Sequence, residues 1–386
     1  MAKASMRTRD EIIRRNRAKY QKSSKKEKGA ILDSVCTSTG LSRDRAARLL
    51  ADNKTKYRVC SKRKRGRPRI YDAEFTMALK EIWAYMDFAC GKRLKYGICD
   101  MLSALTRFGE VHYNENVVEK LNRVSPATID RLLKKHKLSI SFHGISTTKP
   151  GTLLKRNIPL RLGTQWDDAV PGYVEIDLVA HCGPTTAGEY INTLNVTDIC
   201  TGWTESMAVI NRAQRHVFDA LMQIEKRQPF PYMGIDSDNG SEFINQELYR
   251  YCQKEGICFT RSRPYQKNDN CHIEQKNWSI IRRNIGYNRY EGTEALHLLN
   301  EYYSLLRLHL NFFQPSVKLI GKERNGSHVS KRYDTPLTPY RRVLSSEDVS
   351  DSMKKHLEGI FMSINPAKLK RGMMKILDEL SKLYVK

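Results

Sequence analysis

After Trp166 the hydrophobic pattern changes from helical spacing to alternation, and three strand-like runs follow with no room for a helix between them. Tyr173–Ala180 is the first, Glu189–Val196 the second and Trp203–Val209 the third. Strands joined by short turns pair antiparallel, so these three predict a meander. Helical spacing then runs from Arg212 to Lys226, followed by a strand at Tyr232–Asp236, a helix at Asn245–Lys254, a strand at Ile257–Thr260 and a long helix from about His272. The order βββαβαβα predicts a mixed α/β layer fold.

Three carboxylates occupy informative places in that order. Asp177 lies among apolar neighbours in a strand that should be central, where a carboxylate is costly unless it is paired or binds a cation. Asp238 follows the fourth strand in the turn Asp238-Asn239-Gly240-Ser241-Glu242-Phe243, and Glu274 opens the last helix in Ile273-Glu274-Gln275-Lys276-Asn277-Trp278. Helical periodicity puts Asn277 and Trp278 beside Glu274, while Lys276 and Arg283 share another face, so one face suits metal and the other DNA. Carboxylates from separated segments are what hard divalent ions require, and two such ions can stabilise both oxygens of an in-line phosphoryl displacement without a protein nucleophile. Asp236, His181 and Asn277 are auxiliary candidates, and His272 lies two residues before Glu274.

The wording and spacing of these segments resemble the Asp-Asp-35-Glu triad of retroviral-type integrases and bacterial insertion-sequence transposases. The relevant words are Val174-Glu175-Ile176-Asp177-Leu178-Val179-Ala180-His181, the Asp238–Phe243 turn, and Ser262-Arg263-Pro264-Tyr265-Gln266-Lys267-Asn268-Asp269-Asn270 ahead of Glu274, with 35 residues between Asp238 and Glu274. The resemblance covers about residues 165–315. It implies a ribonuclease-H-like mixed sheet with helices on both faces, and two Mg²⁺ or Mn²⁺ ions held by Asp177, Asp238 and Glu274. It further implies DNA strand cleavage by water followed by strand transfer from a 3′-hydroxyl, and a homo-oligomer that holds two DNA ends. Two features depart from the retroviral pattern: the chain lacks a His-His-Cys-Cys zinc module, and its C-terminal part reads as helix rather than β-barrel. A catalytically idle DNA-binding regulator and a hydrolysing nuclease on the same fold are the alternatives.

Charge supports a polyanionic partner. Lys and Arg number 67 against 42 Asp and Glu, and of the net +25 a net +17 falls within residues 1–69. Residues 1–28 are basic, poor in apolar positions and without a clear period, so they read as an arm that orders on DNA. Residues 29–61 read as a helix-turn-helix: Ile31, Leu32 and Val35 at helical spacing, a break at Thr39-Gly40, then Ser42 capping a helix with Ala46, Ala47 and Leu50 inside and Arg43, Arg45 and Arg48 available to DNA. Residues 62–71 carry Lys62, Arg63, Lys64, Arg65, Arg67 and Arg69 around Gly66-Arg67-Pro68, an extended basic linker that resembles an AT-hook. A second helical DNA-binding module is expected over 72–142, a linker over 143–165, the catalytic domain over 166–315, and an extended segment with helices over 316–386. Arg263, Lys267 and Lys276 near Glu274 suit a phosphate track.

No apolar run approaches the roughly 18 residues that span a bilayer, and no secretory leader is evident. Nine cysteines are scattered without a Cys-x-x-Cys pair, which predicts reduced thiols and no zinc site. A cytoplasmic, nucleoid-associated bacterial protein without membrane contact is the expectation.

Overall fold

A computed structural model of the chain describes residues 6–51, 70–136, 170–238, 240–261, 273, 276–326 and 328–384. The chain divides into two compact units, Met1–Ile70 and Tyr71–Lys386.

The described residues of the first unit form three helices: α1 (Met6–Lys22), α2 (Lys25–Thr39) and α3 (Arg43–Ala51). Ser24 caps α2 in a reciprocal box with Glu27, and Gly40 ends it in the left-handed region, φ 67°, which favours glycine. The two helices expected on either side of Thr39-Gly40 are α2 and α3. The expectation of an unfolded arm over 1–28 is corrected. Ile13 of α1 is buried with Leu32, Val35, Ala46 and Leu50, and the Arg17 side chain donates to the Leu49 carbonyl (2.9 and 3.2 Å). α1 therefore satisfies a carbonyl that the end of α3 would otherwise leave to water.

In the second unit, α4 (Ala73–Tyr85), α5 (Gly91–Arg107), α6 (Glu115–Arg123) and α7 (Pro126–Leu133) form a helical module. Asp72, Asn114 and Ser125 cap α4, α6 and α7 through the side-chain bonds such residues make at helix starts. The sheet follows: β1 (Tyr173–Ala180), β2 (Asn192–Asp198), β3 (Thr204–Val209), β4 (Gly234–Ser237) and β5 (Cys258–Arg261), in the order β3-β2-β1-β4-β5. The first three strands form the antiparallel meander, and β4 and β5 add in parallel beyond β1. α8 (Gln214–Glu225) and α9 (Gln246–Glu255) cover one face, packing on Val174, Ile176, Leu194, Val196 and Ile235. The other face meets a π-helical segment, Asn277–Arg282, the long α10 (Gly292–Phe313) and α13 (Pro366–Leu383). This is a ribonuclease-H-like α/β fold.

The remainder differs from an extended connection. Leu319–Asn325 (β6) and His328–Tyr333 (β7) pair as an antiparallel hairpin, then α11 (Pro339–Ser345) and α12 (Asp351–Ser363) lead into α13. The stripe Leu369, Met373, Ile376 and Leu380 is buried within this unit, partly against α10. Segments set apart in the sequence at 72–142, 166–315 and 316–386 thus share one compact unit, joined by a core containing Phe75, Leu79, Ile98, Phe312, Tyr340 and Phe361.

Candidate active site

The sheet has one apolar face and one striped with polar side chains. In β1, Val174, Ile176 and Leu178 point toward α8 and α9, so alternation sends Glu175, Asp177 and Val179 to the opposite face. Register continues the stripe: Asp177 pairs with Asn195 of β2, which pairs with Ser206 of β3. The three side chains belong to one hydrogen-bonded chain. Ser206 Oγ donates to Asn195 Oδ1 (3.0 Å), Asn195 Nδ2 to Asn277 Oδ1 (2.8 Å), and Asn277 Nδ2 to Asp177 Oδ2 (2.6 Å). The other carboxylate oxygen accepts the Leu178 amide (2.8 Å). Asp177 is thus fixed in orientation while keeping an opening to solvent.

Asp238 follows β4, the parallel neighbour of β1, so both carboxylates lie toward the C-terminal ends of adjacent strands. The Gly240 amide donates to Asp238 Oδ1 (2.8 Å). A Cβ at Gly240 would lie 2.8 Å from that oxygen and 2.7 Å from Cδ of Glu242, so any other residue here would have to push one of these carboxylates aside. Glu242 is 8% exposed, and sequence reasoning did not single it out. Its place four residues after Asp238 in a tight turn was the available signal.

These acids repel one another. Burial raises Asp177 toward about 8, and the negative charges of Asp238 and Glu242 add to that, while the Leu178 and Asn277 hydrogen bonds oppose it. Burial also raises Asp238 and Glu242, the latter further through Asp238. Hard oxygen donors held together against their own repulsion fit a divalent cation of the Mg²⁺ class. Among the described residues no group of three acidic, His or Cys side chains could hold an ion by itself.

Glu274 lies outside the described residues. Its described neighbours on either side are tied to β1: the Ile273 amide donates to Glu175 Oε2 (2.9 Å), and Asn277 donates to Asp177. His272, Arg263, Lys267, Lys62, Arg63, Lys64, Arg65, Arg67 and Arg69 also fall outside the described residues. Arg43, Arg45 and Arg48 of α3 are exposed, Arg48 on the side opposite the buried Ala46 and Leu50, and Arg43 pairs with Asp33. Lys276 is turned inward, with Nζ 3.4 Å from the Gly202 carbonyl.

Two auxiliary candidates do not reach the opening. Asp236 is fully buried and accepts a hydrogen bond from Thr260. His181 is fully buried, with Nε2 2.8 Å from Thr193 Oγ1, and burial lowers its pKa to about 3, so it is neutral at physiological pH. Asn277 does reach Asp177.

The raised Asp177 pKa has a measurable consequence. A carboxyl whose folded pKa exceeds its unfolded value stabilises the fold only while protonated, so stability without divalent ions should fall as pH rises from about 4 toward 8. Thermal melts between pH 5 and 8.5 should show that decline. Added Mg²⁺ should recover most of it, and Asp177→Asn should flatten it; a profile identical in wild type and Asp177→Asn would contradict the assignment.

Residues 167–267 match the integrase core domain family, a stretch that contains Asp177 and Asp238 and ends before Glu274. An uncharacterized protein of Sinorhizobium fredii, y4rM, is 39% identical over 340 residues, which is 88% of this chain and 95% of that protein. Among solved structures, the catalytic core domain of BIV integrase is 18% identical with a TM-score of 0.30, covering 46% of this chain and 95% of that one. The HTLV-2 integrase catalytic core domain in complex with magnesium, in its dimeric form, is 15% identical with a TM-score of 0.30, covering 39% and 93%. No helix among the described residues is long and apolar enough to cross a membrane. The chain belongs to one family with y4rM along most of its length, and carries an integrase core domain over residues 167–267.

Proposed function

We propose that the protein is a DNA transposase of the Asp-Asp-Glu class, which cleaves DNA at the ends of an insertion sequence and joins the 3′-ends to a target. The observation that carries this reading is the pair Asp177 and Asp238 on adjacent parallel strands, with the segments flanking Glu274 hydrogen-bonded to the first of them. Asp177, Asp238 and Glu274 would hold two Mg²⁺ or Mn²⁺ ions. When bound, such ions supply Lewis-acid stabilisation to the attacking and leaving oxygens of an in-line displacement.

The chain's own residues do the rest. Asn277 holds the Asp177 carboxylate in one rotamer, and Asn195 and Ser206 hold Asn277, so Asp177 is pre-positioned as a ligand. The magnesium present with the HTLV-2 integrase core supports divalent-ion use here. The exposed Arg43, Arg45 and Arg48 of α3 suit an element-end duplex, which a helix-turn-helix reads with its second helix. The basic stretch 62–71 and the Arg263–Lys267 segment would add phosphate contacts. A homo-oligomer on double-stranded DNA in the bacterial cytoplasm completes the reading.

The test is a strand-transfer assay with the DNA ends flanking the coding sequence, in Mg²⁺ or Mn²⁺. Joined product is the expected result. Cleavage without joining identifies a nuclease, and binding without any chemistry identifies a regulator. Removing residues 1–69, which hold +17 of the charge, should weaken duplex binding and flatten the slope of log affinity against log salt. An unchanged slope in a salt titration would place the phosphate contacts elsewhere.

A further inference from the structure

A cavity of about 150 Å³ opens on the polar-stripe side of the second unit, between the α4–α5 connection, the β2–β3 turn, the π-helical segment and the chain leaving α10. Four cations line it: Arg93 of α5, Lys276 and Arg283 on either side of the π-helical turn, and Lys318. Arg93, Lys276 and Arg283 rest on backbone or amide oxygens. Arg93 donates to the Pro315 carbonyl (2.5 Å), Arg283 to the Asp87 carbonyl (2.9 Å), and among the described residues Lys276 makes a long contact with the Gly202 carbonyl (3.4 Å). None of these three forms an ion pair among the described residues.

The two carboxylates in the cavity wall are committed. Asp87 is held by His309 (2.9 Å), Gln314 (3.2 Å) and Lys370, which keep it well below the ordinary carboxylate range despite its burial. Asp198 accepts the amides of Gly172 (2.8 Å) and Thr201 (2.6 Å) and the Thr201 hydroxyl (2.6 Å). Like charges gathered in a half-buried wall repel one another, and an anion joining them removes that cost.

We infer that this cavity is a phosphate site, taking one phosphate group from a nucleic-acid backbone or from a free phosphate ester. Its walls carry aliphatic side chains and no Phe, Tyr or Trp, and the one imidazole, that of His309, is fully buried and bonded to Asp87 and Gln314, so they offer a nucleobase little stacking surface. Charged fork and ammonium donors converging from three segments are what a tetrahedral oxyanion recognises. Lys276 immediately precedes Asn277, so a phosphate bound here would brace the segment that carries Glu274. The DNA source of the phosphate rests on the transposase reading; the site itself does not.

The experiment uses the full chain and inorganic phosphate as probe. Melting temperature and calorimetric binding are followed against sodium chloride of equal ionic strength, in wild type, Arg283→Gln, Lys276→Met and Asp238→Asn. Arg283 is exposed, so its variant should fold normally even if Lys276→Met does not. Phosphate should stabilise wild type and Asp238→Asn alike, and Arg283→Gln should bind it about tenfold more weakly, as expected for one charge-assisted contact. A short duplex that displaces phosphate supports the site with DNA as its source; failure to displace supports it with a free ester. A phosphate response no greater than that to chloride, or equal in wild type and Arg283→Gln, overturns the inference. A failed strand-transfer assay with intact phosphate binding would sink the transposase reading and leave this site standing.

Discussion

Asp238→Asn should reduce strand cleavage and joining by at least about 10³-fold, equivalent to roughly 4 kcal/mol of transition-state stabilisation, while duplex binding changes little. Asp177→Asn should do the same, and Glu274→Gln is the third member of the set. An amide keeps nearly the shape of the carboxylate but contributes no negative charge to a divalent ion. At Asp238 the Gly240 amide can still donate to the remaining carbonyl oxygen, so the turn should survive. Assays of Mg²⁺-dependent cleavage alongside duplex affinity and thermal melting separate the possibilities. Activity and duplex binding lost together would point to a folding role, and activity retained would remove Asp238 from the chemistry.

The largest stability effect is expected away from the opening, at Arg307→Met. Glu205 of β3 is fully buried and accepts from Arg307 Nε at 2.6 and 2.9 Å and from Trp203 Nε1 at 3.0 Å. Burial already raises the Glu205 pKa, with Arg307 opposing that rise. Removing Arg307 leaves a buried carboxylate with one neutral donor, a change that costs about 3–5 kcal/mol. Chemical denaturation should report that loss at neutral pH, and a double change Arg307→Met with Glu205→Gln should recover part of it. A loss below about 1 kcal/mol would mean that solvent reaches Glu205 well enough to replace the guanidinium.

The catalytic strands were legible because their patterns are local. β1 lies where alternation puts it, at Tyr173–Ala180, and α2, Gly40 and α3 follow from spacing and a glycine stop. β2 begins at Asn192 rather than Glu189 for a tertiary reason. Arg289 claims the Glu189 carbonyl, and Ile191 donates to Tyr290 instead of to a strand neighbour. The long helix expected from His272 includes a π-helical turn and stops at Gly286, φ 82°, before α10 begins. The β6–β7 hairpin escaped notice because β7 is exposed along its whole length, so no buried face imposed an alternation.

The site divides in the same way. Sequence alone proposed which carboxylates matter: Asp177, Asp238 and Glu274 stand out by their local contexts and by the resemblance of their wording and spacing to the integrase triad. It also determined where the positive charge lies, since charge is additive along a chain. Only the tertiary structure decided that Asn195 and Ser206 stand in register with Asp177, that Glu242 joins Asp238 across Gly240, and that Lys276 turns away from solvent toward Arg93 and Arg283. Strand register and the packing of distant helices depend on contacts between residues far apart in the chain, and no local periodicity encodes them.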